Sequence, residues 1–298
     1  GALTAPMVAQ ADATLYGKVE ALLKLTEKDD ASITMDDVIF GLKGSSETSV
    51  EGLTAIYKIE VELNENSGTS DSSTIDTRYA YAGATGAFGT VVAGRVANPT
   101  DVVEGYFDIS NKAGTFAYNP DRMGSTIAYL SPSFSGFDFY ATVMMNGDLD
   151  KSEDADLYSL GANYMAGPLS LSIGYWDVNA EGGVASNRDV NIENNLLVGG
   201  SYAFGPLTLG LGYETADVVD SGDTVETYGI SAAYAAGAAT PYIQYNENTL
   251  DDQADYDEWA LGLNYALGNK AGVGVEYVST DEGDETIDSF NVSYTVKF

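Results

Sequence analysis

Apolar residues occupy every second position in segment after segment of this chain. At its C-terminal end, Phe290, Val292, Tyr294, Val296 and Phe298 alternate with Asn291, Ser293, Thr295 and Lys297. Leu15, Gly17, Val19, Ala21, Leu23 and Leu25 alternate in the same way with Tyr16, Lys18, Glu20 and Lys24. Leu169, Leu171, Ile173 and Tyr175 face away from Ser170, Ser172, Gly174 and Trp176, and Leu207, Leu209, Leu211 and Tyr213 from Thr208, Gly210, Gly212 and Glu214. A period of two predicts β-strands with one apolar and one polar face. Sixteen such strands are predicted, near 12–26, 33–43, 49–63, 74–83, 87–97, 124–131, 136–146, 155–165, 168–178, 192–204, 206–216, 224–235, 239–248, 256–267, 270–279 and 286–298.

Two kinds of connection alternate between these strands. One is short and poor in charge: ATGA (84–87), MAGP (165–168), AFGP (203–206), AAGAA (235–239) and ALGNK (266–270), with KGSSE (43–47) and SPSFSG (131–136) in the same role. The other is longer and acidic, as in NGDLDKSEDAD (146–156), ETADVVDSGD (214–223), NENTLDDQADYDE (246–258) and STDEGDE (279–285). A soluble sandwich has no reason to sort its loops by length, whereas an up-and-down meander puts the two kinds at opposite ends. Sixteen strands also enclose too wide an interior for side chains to fill, and the inward residues are Ser, Thr, Gly, Asn and charged types. The apolar face therefore points outward into lipid around a wet lumen. At about 9–11 residues per crossing the chain is long enough, and closure pairs every strand edge, as hydrocarbon requires. The predicted fold is all-β: a 16-stranded antiparallel transmembrane β-barrel, with Tyr164, Phe204, Tyr234 and Tyr265 in an aromatic girdle beside the short turns.

Composition narrows the chemistry. Lys and Arg total 13 against 45 Asp and Glu, a formal net charge of −32, which repels nucleic acid and predicts no nucleic-acid partner. The 21 Tyr, 10 Phe and 2 Trp argue for packed structure despite that charge. The chain contains no Cys and no His, which removes disulfides, thiolate sites and every histidine-based catalytic arrangement. No catalytic residue, cofactor or dedicated metal site is predicted. The acidic loops SEDAD (152–156), TLDDQADYDE (249–258) and TDEGDE (280–285) lack the spacing of a calcium loop. Two readings of them stay open: plain solvated acidity, or diffuse divalent cations bridging to lipopolysaccharide phosphates. Residues 1–11, GALTAPMVAQA, are uncharged and end in AQA. They read as the remnant of a secretory signal peptide or as an N-terminal extension, with one barrel domain over 12–298.

LYGK (15–18), GLKGSSE (41–47), TRYAYAG (77–83), AGR (93–95), IAYLSPSFSGF (127–137) and the terminal VSYTVKF follow one another in an order that resembles the general diffusion porins of the Gram-negative outer membrane. The resemblance covers essentially all of 12–298. It implies localisation in the bacterial outer membrane among lipid and lipopolysaccharide, a homotrimer, and a terminal Phe298 read by the barrel-assembly machinery. It also implies that the third external loop, 98–123, folds inward and makes a constriction. The loop's carboxylates are Asp101, Glu104, Asp108 and Asp121; its aromatics are Tyr106, Phe107, Phe116 and Tyr118. Lys18, Lys58, Arg78 and Arg95 supply the facing basic wall, and parity turns Lys24 and Lys43 inward as well. Ile39 and Leu130 stand where other members carry further arginines, so the basic wall is thin.

These features predict a water-filled channel for passive diffusion of ions and small hydrophilic solutes, selective for cations because carboxylates dominate the mouths. The alternative is a sugar-selective porin whose loop aromatics bind a sugar ring. An outer-membrane enzyme and a filled structural barrel are disfavoured by the missing histidine and by the Gly- and Ser-rich inner faces.

Overall fold

The computed structural model describes residues 12–64, 73–113, 120–145, 154–179, 182–185, 190–250, 255–283 and 285–298. Seventeen strands follow in order: β1 (Asp12–Thr26), β2 (Ser32–Glu47), β3 (Thr54–Asn64), β4 (Thr74–Gly86), β5 (Gly89–Ala97) and β6 (Arg122–Leu130). Then come β7 (Phe137–Met144), β8 (Leu157–Ala166), β9 (Leu169–Val178), β10 (Val184–Ala185), β11 (Asn191–Phe204) and β12 (Leu207–Val218). The last are β13 (Thr224–Tyr234), β14 (Ala239–Leu250), β15 (Tyr256–Ala266), β16 (Ala271–Glu282) and β17 (Glu285–Lys297). The two-residue β10 belongs to a loop, and β9 pairs directly with β11. The other sixteen pair antiparallel with their sequence neighbours, and β1 pairs with both β2 and β17. The sheet is thereby a closed 16-stranded barrel, as predicted.

Two boundaries differ from the expectation. The first short turn lies at 48–53, around Gly52 with φ +75°, and not at KGSSE (43–47), which pairs with β3 through Lys43↔Lys58 and Glu47↔Thr54. Gly44 sits in this ladder because the Tyr57 ring covers it: a Cβ there would stand 2.5 Å from the Tyr57 hydroxyl. A glycine in GSS thus marks a close cross-strand approach, which sequence alone does not separate from a turn. The third long connection spans 98–121, because β6 begins at Arg122.

The apolar row is the exposed one. Leu211 is 63% exposed and Leu261 59%, while on the opposite face Glu214 and Glu258 are buried. That inversion of a soluble protein is stable only where hydrocarbon covers the outside. Inside, the face is less polar than the sequence reading held. Where β8, β9 and β11–β14 approach the long loops, Leu157, Trp176, Ile192, Val218, Val225 and Leu250 belong to one buried apolar cluster. Val103 and Phe107 of the third long connection complete it. In β9 the inward row changes from Ser170, Ser172 and Gly174 to Trp176 and Val178, so the cluster is written as an apolar end to a polar row.

The barrel closes on its last residue. The Phe298 amide donates to the Gly17 carbonyl at 3.1 Å, and the Gly17 amide returns the bond at 3.2 Å. The Phe298 ring lies over Gly17, where an added Cβ would meet it at 2.1 Å. Gly17→Val should therefore displace the ring and destabilise the closing pair by about 1–3 kcal/mol. The temperature at which the folded band disappears in detergent gels should fall; an unchanged temperature would show that the ring is not held by this contact.

Candidate functional site

The third long connection is closed at its base by the Asn98 amide, which donates to the Asp121 carbonyl at 2.8 Å. Pro99 opens a short 3-10 turn, Pro99–Val102, with the Asn98 side chain accepting from the Thr100 amide at 3.3 Å. A second turn covers Glu104–Tyr106. From there the chain lies against the inward face of strand after strand. Gly199, Gly212 and Gly229 stand in ladder register across β11, β12 and β13. They form a bed: a Cβ on Gly212 would lie 2.0 Å from the Phe107 ring, one on Gly229 2.2 Å from it, and one on Gly199 3.0 Å from Val103. Only absent side chains leave room for the loop here.

Side chains of the wall then bind the loop backbone. The Ser231 hydroxyl donates to the Tyr106 carbonyl at 2.7 Å, and the Tyr106 hydroxyl meets Ser172 at 2.9 Å. Gln244 Oε1 accepts from the Ile109 and Ser110 amides at 2.7 and 2.8 Å. Buried Glu276 takes the Asn111 and Lys112 amides on its two oxygens, both at 2.8 Å, and also accepts from the Tyr242 hydroxyl. Asn111 Nδ2 donates to Asn264 at 2.7 Å. The Lys112 ammonium then reaches Glu20 of β1 and Asp36 of β2. Beside this tip lies a hollow of about 390 Å³, whose lining includes Lys18, Thr240, Asn264, Ser293, Thr295 and Lys297.

Strands β1–β4 carry the charged wall, and two bulges shape it. Between β1 and β2, Glu20 pairs with Asp37 and Ala21 with Met35, leaving Asp36 as the extra residue. Between β3 and β4, Glu60 pairs with Tyr79 and Val61 with Thr77, leaving Arg78 as the extra residue. Each bulge puts two adjacent side chains into the same network. Lys18 is bonded to Asp37 and lies 3.7 Å from Glu20. Arg78 donates to Glu60 at 2.9 Å and Glu62 at 2.6 Å, and Lys58 lies 3.2 Å from Glu60. The Tyr16 hydroxyl also donates to Glu60, at 2.6 Å, and Lys58 stands 3.5 Å above the Tyr79 ring.

Lys18, Lys58 and Arg78 thus lie together, but matched by wall carboxylates that the sequence reading omitted. Their signal was available, since Glu20, Glu60 and Glu62 share parity with Lys18 and Lys58. Arg95 is not in this network: it pairs across the ladder with Ala80, and its Nε is buried without a hydrogen-bond partner. Arg122 instead approaches the Tyr79 ring, at 5.4 Å, and lies 3.5 Å from Asp121. Lys112 was also missed, although it is the lone cation of 98–121. Lys43 rests over Tyr16 at 5.4 Å, and Lys24 is exposed. Phe107 is 2% exposed, so its ring anchors the loop and is not presented to a solute. Phe116 and Tyr118 lie outside the described residues.

The predicted loop acids make no ion pair with Lys18, Lys58 or Arg78 among the described residues. Burial, with the Asp121 carboxylate nearby, pushes Asp101 up to about 6. Burial also pushes Asp108 up to about 6, against the hydrogen bonds it receives from Gln244 and Ser110. Glu104 is raised well above the usual carboxylate range, first by burial and then by facing Glu214. A carboxyl raised on folding favours the folded loop below its unfolded value, and that contribution is lost as pH rises through 6. Acid therefore tightens the seat.

Gly212→Leu should expel Phe107 from its bed, at an overpacking cost of about 1–3 kcal/mol. Trypsin should then cut after Lys112 under conditions that leave the native barrel intact; equal resistance would show that the glycine bed does not hold the loop.

The Gram-negative porin family model matches residues 1–285. A major outer membrane protein P.IA of Neisseria meningitidis serogroup C is 30% identical over 162 residues; the match takes in 44% of this chain and only 41% of that protein. A monosaccharide porin of a Halomonas species is 25% identical, with 95% of this chain and 91% of that protein aligned. Among solved structures, an anion-selective porin from Comamonas acidovorans superposes with a TM-score of 0.79 at 18% identity, covering 97% of this chain and all of that one. That likeness extends to the fold. Sixteen closed strands, an apolar exterior and a family match over nearly the whole length converge: the chain belongs to the Gram-negative porins of the bacterial outer membrane.

Proposed function

We propose that this porin is a passive diffusion channel for ions and small hydrophilic solutes, that 98–121 narrows it, and that it prefers cations. The observation carrying the proposal is the loop tied by Gln244 and Glu276 to β14 and β16, with its tip reaching on past β17 to the ion-paired wall of β1 and β2. Water and solute then pass beside the tip, through the hollow flanked by Lys18 and Thr295. Cation preference rests on charge balance. Lys18, Lys58, Arg78, Lys112 and Arg122 stand among Glu20, Asp36, Asp37, Glu60, Glu62 and Glu276, with Asp101, Asp108 and Asp121 added by the loop. Carboxylates prevail, and fixed negative charge concentrates cations along a pore. The homotrimer, contact with lipopolysaccharide, diffuse divalent binding at the acidic loops and reading of Phe298 by the assembly machinery belong to the same proposal, on family grounds.

A second reading, sugar selectivity, draws on the hydroxyl and amide lining of the hollow by Thr240, Asn264, Ser293 and Thr295. The Halomonas relative carries the name of a monosaccharide porin. Recognition would then lie in this hollow and not on Phe107. Saturating liposome swelling for one sugar supports this reading; a linear rate supports general diffusion.

Deleting 104–118 should raise single-channel conductance in a barrel that stays heat-resistant in detergent. Unchanged conductance would mean that the loop does not narrow the pore. Reversal potentials in a salt gradient should show cation preference that shrinks as salt rises, because the Debye length is only about 8 Å at physiological ionic strength. The preference should also fall between pH 7.5 and 5 with a midpoint near 6, as Asp101 and Asp108 take up protons. A flat profile over that range would separate these two groups from selectivity.

A further inference from the structure

The charge of the β1–β2 wall depends on a residue that does not belong to it. Glu20, Asp36 and Asp37 present carboxylate oxygens that all lie within 4.8 Å of one another. Like charges so close are tolerable only with cations among them. Lys18, on the same wall, is bonded to Asp37. Glu20 and Asp36 take their ammonium from Lys112, which arrives from the third loop and lies within ion-pair distance of both. Its side chain is 14% exposed, as is expected of a group engaged on two sides. Hydrogen bonds from the Asn111 and Lys112 amides to Glu276 hold the stem of this side chain beside β1 and β2. With Lys112 in place, two ammoniums face three carboxylates; without it, one does.

We propose that Lys112 is the specificity-determining residue of the waist: a loop-borne ammonium that offsets wall carboxylates and so limits how strongly the pore prefers cations. Selectivity is thereby coupled to loop position, since a loop that leaves its seat withdraws the ammonium and uncovers Glu20 and Asp36. The proposal rests on the reading that solutes pass beside the loop tip, through the hollow that Lys18 and Thr295 flank. It does not need the wild type to be cation-selective, because it fixes the direction of a change.

The test is the reversal potential in planar bilayers under a potassium chloride gradient at low salt. Lys112→Met should raise the cation-to-anion permeability ratio about threefold, the effect of one uncompensated charge a few ångströms from the path in a mostly aqueous medium. Lys112→Arg should keep the wild-type ratio. Lys112→Met combined with Glu20→Gln should return toward it, a rescue that a purely structural role for Lys112 would not produce. The chain has no cysteine, so Lys112→Cys offers a second route in one assembled channel. An aminoethyl methanethiosulfonate adduct should restore the wild-type ratio, and a sulfonatoethyl adduct should raise the ratio further. An unchanged ratio in Lys112→Met, or a Lys112→Cys channel indifferent to the sign of its adduct, would overturn the proposal. Anion selectivity of the wild type would instead overturn the cation-preference reading and leave this one standing if the shifts occur.

Discussion

A strand edge in hydrocarbon leaves amide and carbonyl groups with nothing to bond, at several kcal/mol for each. The rest of this molecule follows from avoiding that outcome. The chain must bring β17 back to β1, and the reciprocal backbone bonds between Gly17 and Phe298 complete the circuit. Once the ladder is closed, every strand has a lipid side and a lumen side, and alternation of side chains becomes obligatory. The terminal aromatic then lies on the outer face at the seam, resting on the one residue type that leaves space for its ring.

Closure creates an interior too wide for side chains from the wall to fill, so a second element enters it. The loop that does so needs a flat seat, and Gly199, Gly212 and Gly229 provide one by offering no side chain. An apolar cluster behind it, built from Trp176, Leu197, Val225 and their neighbours with Val103 and Phe107, gives the seat its burial free energy. Hydrogen bonds from Ser231, Gln244 and Glu276 then set the direction in which the loop travels. Apolar packing holds the loop down, and polar contacts aim its tip.

The wall that the tip meets is a mesh of short ion pairs. Partly exposed pairs of this kind contribute little to stability, so their consequence is electrostatic: charges of both signs held at defined places beside water. Bulges at Asp36 and Arg78 add charges to that mesh by turning adjacent side chains the same way. A predicted separation of acids on the loop from bases on the wall is replaced by pairing within the wall. The loop acids Asp101, Glu104 and Asp108 are drawn into the seat and held closer to their protonated forms.

The period-two rows, the alternation of short and long connections and the outward apolar face were determined by the sequence itself. They express local geometry, which any strand obeys whatever its neighbours do. The inward positions of Lys18 and Lys58 were legible for the same reason, and the unusual length of 98–123 singled out the loop. The register-dependent features were decided only in three dimensions. Whether Gly44 is a turn or a place for the Tyr57 ring depends on the partner strand. That Gly212 and Gly229 lie under Phe107, more than a hundred residues away in the chain, depends on how the closed barrel curves back on the loop. The partners of Lys112 depend on the loop's path from β9 along β11–β16 to β1 and β2. Period and composition are properties of a segment, whereas the pairing of charges between strands and loop is a property of distances between segments, and only the closed ladder sets those distances.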